Sequence, residues 1–174
     1  MLDGENRRKQ IVDTLLSATK PVNGTALAKQ FQVSRQVIVQ DIALLRAENK
    51  NIISTNKGYF IFRAENHKNT CKKVICVAHT TDQVLEEFYT IVDLGGNVLD
   101  VSVEHDLYGQ IQVDLIIHNR ADAEEFVKKM KSSKDKPLKI LTEDVHYHTI
   151  EAGNQETIDK ICKKLEEKGF LCQE

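Results

Sequence analysis

The chain has 174 residues, 41% of them hydrophobic, with two prolines and eight glycines, which suits one large or two small globular domains and leaves no stretch that reads as disordered. No apolar run approaches the roughly 20 residues that span a bilayer, and the charged first residues hold no apolar segment of the secretory kind, so the sequence predicts a cytoplasmic protein with no membrane partner. The formal charge of −2 hides an asymmetry, because residues 1–66 carry ten Lys/Arg against six Asp/Glu and residues 67–174 carry fourteen against twenty; if phosphate is a partner, the first third is the part that approaches it.

In chain order, residues 6–18 place Ile11, Val12, Leu15 and Leu16 at helical spacing. Lys20-Pro21-Val22-Asn23-Gly24 breaks that helix, and a short second one covers 25–31. Gln32-Val33 turns the chain, and Ser34 is a good N-cap for a third helix reaching about residue 49. There Ile38, Ile42 and Leu45 define one buried face. Residues 52–62 are β-rich on both sides of Asn56-Lys57-Gly58 and predict a hairpin of the wing type. The polar stretch 64–70 reads as a linker, between a first domain over 1–64 and a second over 72–172.

In the second domain Val74-Ile75-Cys76-Val77-Ala78 is a short strand ending at His79. Thr80 and Gln83 form a capping box for a helix to about residue 94, stopped by Gly95-Gly96. Strands are expected over 98–104 and 110–117 around a turn at 106–109, a helix over 121–130, a strand over 141–150, and a last helix over 157–168 closed by Gly169. The order β-α-β-β-α-β-α predicts an α+β protein: a ferredoxin-like βαββαβα sandwich behind a winged helix-turn-helix. The cysteines Cys71, Cys76, Cys162 and Cys172 are too far apart for a CxxC motif and read as reduced packing residues.

A helix-turn-helix needs one short helix across the DNA backbone and a second in the major groove. The run from Ala26 to Ile42 supplies both: Leu27, Phe31, Val33, Ile38 and Ile42 fill a core, and small Ala28 permits close packing. Ser34, Arg35, Gln36, Val39 and Gln40 remain for the outer face. Arg suits guanine, Gln suits adenine, and Val39 can touch a thymine methyl. Lys57 at the wing tip suits a phosphate. A three-helix bundle used for protein contacts is the alternative, and the polar, basic outer face of the third helix argues against it.

The six histidines are His67, His79, His105, His118, His146 and His148. His146 and His148 are two apart on a strand and emerge on one face. His79 ends the first strand, and Glu87, one and a half to two turns into the next helix, can project toward the same sheet end. Three neutral imidazoles and a carboxylate suit one divalent transition metal per chain, such as nickel, zinc, iron or cobalt. His67 and His118 read as ordinary hydrogen-bonded residues. With no nucleophile elbow, phosphate loop or zinc-protease motif, the chain does not read as an enzyme.

The helix-turn-helix string Val33-Ser34-Arg35-Gln36 with Gln40-Asp41-Ile42, the string Val77-Ala78-His79-Thr80 followed by Glu87, and the strings Glu104-His105-Asp106-Leu107-Tyr108-Gly109 and Val145-His146-Tyr147-His148-Thr149 resemble the 3H-domain regulators, the niacin-responsive repressors of NAD biosynthesis in Gram-positive bacteria. The resemblance covers nearly the whole chain. It departs after the central histidine, where the family pattern has proline and valine and this chain has Asp106-Leu107. It implies a homodimeric repressor binding operator DNA, nicotinic acid as co-repressor, and the metal at His79, Glu87, His146 and His148. A metal so held keeps a net charge of +1, which would anchor the effector's carboxylate in an acidic domain, with His105, Tyr108 or Tyr147 as walls or hydrogen-bond partners. Two other readings stay open: a repressor that senses the metal itself, and a metal-dependent enzyme with an accessory winged helix.

Overall fold

The computed structural model describes residues 3–48, 50–61 and 70–172; Asn49, Phe62, His67 and most of the expected linker lie outside them. The chain divides into two units, Met1–Asn66 and His67–Glu174. No described helix is long and apolar enough to cross a membrane.

The first unit contains α1 (Gly4–Ser17), α2 (Gly24–Phe31), α3 (Arg35–Ala47), β1 (Ile52–Thr55) and β2 (Gly58–Ile61). Side chains close the helix starts as the sequence predicts: Asn23 accepts from Thr25 N at 2.8 Å and Ser34 from Val37 N at 3.3 Å. Ile11, Leu15, Leu27, Phe31, Ile38, Ile42 and Leu45 form the core, while Leu16 faces out. Asp41 looks like a surface residue in the sequence but is buried on α3. Its carboxylate accepts from Arg7 Nε at 2.6 Å and Nη2 at 3.3 Å, which ties α1 to α3 and raises the guanidinium's pKa through that hydrogen bond.

The hairpin β1–β2 is antiparallel, with Thr55 opposite Gly58. Its second strand also pairs with Val22, exchanging bonds of 2.7 and 2.9 Å with Tyr59, so the segment that ends α1 contributes a third strand position to the wing base. That approach requires glycine at 58. Its φ is +136°, and a Cβ there would stand 2.3 Å from the Val22 carbonyl oxygen. Gly58→Ala is expected to destabilise the first unit by about 1–3 kcal/mol from backbone strain alone, with the clash adding to it; urea unfolding followed by circular dichroism checks this.

The second unit contains β3 (Cys71–Ala78), a 3-10 turn (Thr81–Gln83), α4 (Val84–Val92), β4 (Asn97–His105), β5 (Gly109–Ile117), α5 (Arg120–Ser132), a 3-10 helix (Leu138–Thr142), β6 (Val145–Ala152) and α6 (Gln155–Glu167). The α+β class and the βαββαβα element order match the sequence expectation. The strand order does not: it runs β5-β4-β6-β3, every pair antiparallel. A ferredoxin-like sandwich puts its first and third strands in the middle, whereas here the second and fourth are central. β6 sends His146, His148, Ile150 and Ala152 inward, each 2% exposed or less. β3 begins with exposed Lys72, Lys73 and Val74 and suits an edge. Element order alone cannot separate the two arrangements, because both keep each helix crossing over one intervening strand.

The expected strand over 141–150 begins only at Val145. Leu138–Thr142 is apolar enough to read as β, but Ile140 N donates to Pro137 O at 3.1 Å and closes a 3-10 turn. Glu143 and Asp144 then take left-handed φ values of 51° and 69°, which reset the chain before the strand. After α6, residues 170–172 add a short antiparallel run to the outer edge of β3: Ala78 N donates to Phe170 O at 2.9 Å and Cys172 N to Cys76 O at 3.0 Å. The four cysteines are free thiols. Ile75, Val77, Val98, Leu115, Ile117 and Ile150 pack beneath Phe88, Ile91, Val127, Ile158, Ile161 and Leu165 of the helices.

Candidate metal centre and nucleic-acid interface

On α3 the side chains of Arg35, Gln36, Val39 and Gln40 are all exposed, together with Ser34 at the cap, while Ile38 and Ile42 point into the core. Lys57 lies in the hairpin turn, where Thr55 Oγ1 accepts from its backbone N–H at 3.1 Å. The helix therefore presents hydrogen-bonding groups and one methyl-bearing contact to solvent, the composition that direct readout in a major groove requires. Lys20, Lys29, Arg46 and Lys50 are exposed on the same unit.

In the second unit the period-2 alternation of β6 turns both His146 and His148 to the helix-covered face, with ring centroids 4.9 Å apart. His79 follows β3, and its ring lies 4.9 Å from that of His146. The Thr80–Gln83 contacts start the 3-10 turn, with Gln83 Oε1 accepting from Thr80 N at 3.0 Å. The turn leads into α4, which aims Glu87 at the three rings. Glu87 is 0% exposed. Its Oε2 stands 2.7 Å from His79 Nε2 and 3.9 Å from His146 Nε2, and its Oε1 stands 3.4 Å from His148 Nε2. The sequence-predicted metal set is thus gathered in one buried cluster, and His79, Glu87 and His146 offer ligand atoms within 4.8 Å of one another.

The opposite nitrogens determine the chemistry. His79 Nδ1 donates to Thr80 O at 2.9 Å, His146 Nδ1 to Asp144 O at 2.8 Å and His148 Nδ1 to Asp100 O at 2.6 Å. A carbonyl only accepts, so each Nδ1 carries a proton, and a ring that is neutral turns the lone pair of its Nε2 toward a carboxylate that is also only an acceptor. Glu87 Oε1 is buried and receives no hydrogen bond. Burial by itself would favour the neutral carboxyl of Glu87, but the imidazoles, His148 foremost, outweigh it and hold the group well below the usual carboxylate range. Burial likewise opposes a charged His148, and the Glu87 carboxylate prevails and raises it. Phe170 packs edge-on against the ring of His79 and Phe88 against that of His148. His79, Glu87 and His146 could together hold a divalent cation, and His148 Nε2 stands 3.4 Å from the second oxygen of Glu87. Ligand atoms about 2.1 Å from a common ion in a tetrahedral site stand roughly 3.4 Å apart, which the observed 2.7, 3.4 and 3.9 Å bracket. The residues fit a metal.

Sequence reasoning missed the groups that orient these rings. A bulge in β4 sets five residues, 98 to 102, against four of β6, 147 to 150, which turns the Asp100 carbonyl to His148 and its carboxylate to Thr149 N at 2.8 Å. Bulges beside functional sites commonly re-aim groups in this way. Lys139 is also absent from the sequence reading, although its buried ammonium meets His79 O and Asp144 Oδ1, each at 2.6 Å. An apolar-flanked Lys and a strand Asp carry no such signal by themselves.

The residues expected around an effector are divided by the fold. His105 ends β4 with Nδ1 accepting from Leu107 N at 3.2 Å, and the exposed ring of Tyr108 lies 5.0 Å from its own. Glu104, His105 and Asp106 line one side of a groove of about 380 Å³, with Thr142, Glu143 and Val145 opposite. The groove shares the segment 143–146 with the histidine cluster. Tyr147 alternates with His146 and His148 and so occupies the other face of the sheet, opposite Cys76 and Ser102; it does not join the metal cluster or the groove. His118 is exposed, as an ordinary surface residue.

Residues 72–174 match the family model of the 3H domain, and residues 7–60 match a model described as an HTH domain. The chain is 39% identical over 170 residues to the Probable transcription repressor NiaR of Thermotoga maritima, covering 98% of this chain and 95% of that protein. It is 39% identical over 174 residues to the Transcription repressor NadR of Bacillus subtilis, covering 99% and 97%.

Proposed function

The chain belongs to the 3H-domain transcription repressors, and from that premise we propose that it is a metal-containing repressor of NAD-biosynthesis or niacin-uptake genes that binds operator DNA as a homodimer with nicotinic acid as co-repressor. The observation that supports the metal is the set of three imidazoles whose Nδ1 protons are committed to backbone carbonyls, while Nε2 of His79 and His146 faces one oxygen of Glu87 and Nε2 of His148 faces the other, which receives no hydrogen bond. His79, Glu87, His146 and His148 hold the ion. When bound, it supplies a positive charge in an otherwise acidic domain. The groove beside it carries Glu104, Asp106 and Glu143, so a carboxylate effector needs that charge. His105 and Tyr108 are the residues at hand for the pyridine ring. Elemental analysis of untagged protein tests the metal, with about one divalent ion per chain expected; metal-free protein that resists reloading would contradict it.

In the first unit Ser34, Arg35, Gln36, Val39 and Gln40 read the operator and Lys57 meets phosphate. Gln36→Ala or Gln40→Ala is expected to relax preference at one base pair per half-site by about 1–3 kcal/mol. Lys57→Ala should instead weaken all sequences alike, because a phosphate contact carries no base information. Fluorescence anisotropy against operator and single-base variants separates the two patterns. A repressor that senses the metal alone differs in one result: its operator affinity responds to metal and ignores nicotinate.

A further inference from the structure

Lysine is almost never fully buried unless paired, and Lys139 is 3% exposed at a place where the strand ladders have ended. Its ammonium has three protons to donate. One goes to the backbone oxygen of His79 and another to Asp144 Oδ1, each at 2.6 Å. The backbone closes the same loop, with Asp144 N donating to Lys139 O at 2.9 Å. Asp144 holds a left-handed φ of 69° directly after Glu143 at 51°, a pair of conformations that non-glycine residues rarely take and that surrounding contacts have to maintain. The Asp144 carbonyl so presented accepts the Nδ1 proton of His146 at 2.8 Å. On the other side, the His79 carbonyl held by Lys139 precedes the Thr80 carbonyl that accepts from His79 Nδ1 at 2.9 Å.

We infer that Lys139 is a positioning residue of the metal centre: one ammonium fixes the peptide behind His79 and the turn behind His146, so two of the three imidazoles are aimed from outside the coordination sphere by a residue that is not a ligand. The inference rests on the metal reading above. It also gives the 3-10 helix Leu138–Thr142 a task, since Thr142 and Glu143 at its end line the 380 Å³ groove.

Charge and position predict opposite signs for Lys139→Met, which keeps the length of the side chain and removes the cation. If Lys139 acted only through its field, losing a positive charge near the site would tighten metal binding. As a positioning residue, its loss weakens binding, by the roughly 10–100-fold typical when groups that orient ligands are removed. The test is titration of the full-length, untagged apoprotein with cobalt(II), whose visible absorption reports coordination geometry. Expected are a higher Kd and an altered spectrum for Lys139→Met. Asp144→Asn should do the same, because asparagine tolerates the left-handed backbone and its side chain, 41% exposed in the native carboxylate, tolerates the change. The double variant should bind no worse than the weaker single one, since both break the same link. If Lys139→Met fails to fold, Asp144→Asn carries the test. Native affinity and spectrum in these variants, or tighter binding by Lys139→Met, overturns the inference and leaves the metal reading standing. No cobalt binding by the native protein overturns both.

Discussion

Operator affinity of the native protein is expected to fall by about 10³–10⁵-fold between 50 and 200 mM salt, the loss that accompanies roughly 6–10 neutralised phosphates. For the proposed homodimer on one site, that would require three to five phosphate contacts per chain. The first unit has the residues for it: Lys20, Lys29, Arg35, Arg46 and Lys50 are exposed on a unit with an excess of positive charge. Arg7 does not belong to this set, because its guanidinium is committed to buried Asp41. The acidic second unit is expected to contribute no phosphate contact. Anisotropy titrations at several salt concentrations give the slope directly. A slope near zero would mean that α3 is not seated on DNA.

His146→Ala combined with His148→Ala is expected to reduce bound metal from about one ion per chain to background. The double variant leaves one imidazole and one carboxylate, too few to close a transition-metal site of the kind these residue types build. Acid should act in the same direction, because an ion held here would take the deprotonated Nε2 of the rings. His148 is raised above the ordinary imidazole range by Glu87 despite its burial, so protons compete with the metal from a higher pH than a free histidine would allow. The metal-free domain follows a different course. The stabilisation from the raised His148 is present below its unfolded-state value and lost as pH rises through the folded one; that from the lowered Glu87 is present above its unfolded-state value and lost as pH falls through the folded one. The gain in Tm on adding metal should therefore grow from about pH 5 to about pH 8. Metal content and differential scanning fluorimetry across that range check both, and unchanged metal content in the double variant would place the ion elsewhere.

Much of the site was legible in the sequence because it is built on strict periods. A strand alternates faces, so His146 and His148 had to emerge together, and a capped helix placed Glu87 opposite them. The helix-turn-helix was equally open, since Ser34 announces the start of α3 and Ile38, Ile42 and Leu45 mark its inner face. What stayed hidden depends on contacts far apart in the chain. Lys139 reaches His79 across 60 positions and Asp100 reaches His148 across 48, and neither distance has a local signature. The run Leu138–Thr142 misled because apolar residues fit a 3-10 turn as well as a strand. The strand order was undetermined for a related reason: the element sequence permits two arrangements, and the pairing of β6 with both β4 and β3 is a contact between segments far apart in the chain.

In the proposed function, an effector held at the metal changes how tightly the first unit holds DNA. Such coupling is typically worth about 1–3 kcal/mol, or 5–150-fold in affinity, and it is reciprocal. The direct measurement is calorimetric titration of nicotinate into the metal-loaded protein, with and without operator duplex, and into the metal-free protein. Operator is expected to tighten nicotinate binding within that range, by the same factor with which nicotinate tightens operator binding, and metal removal is expected to abolish it. Nicotinate affinity that ignores both the operator and the metal would contradict the account.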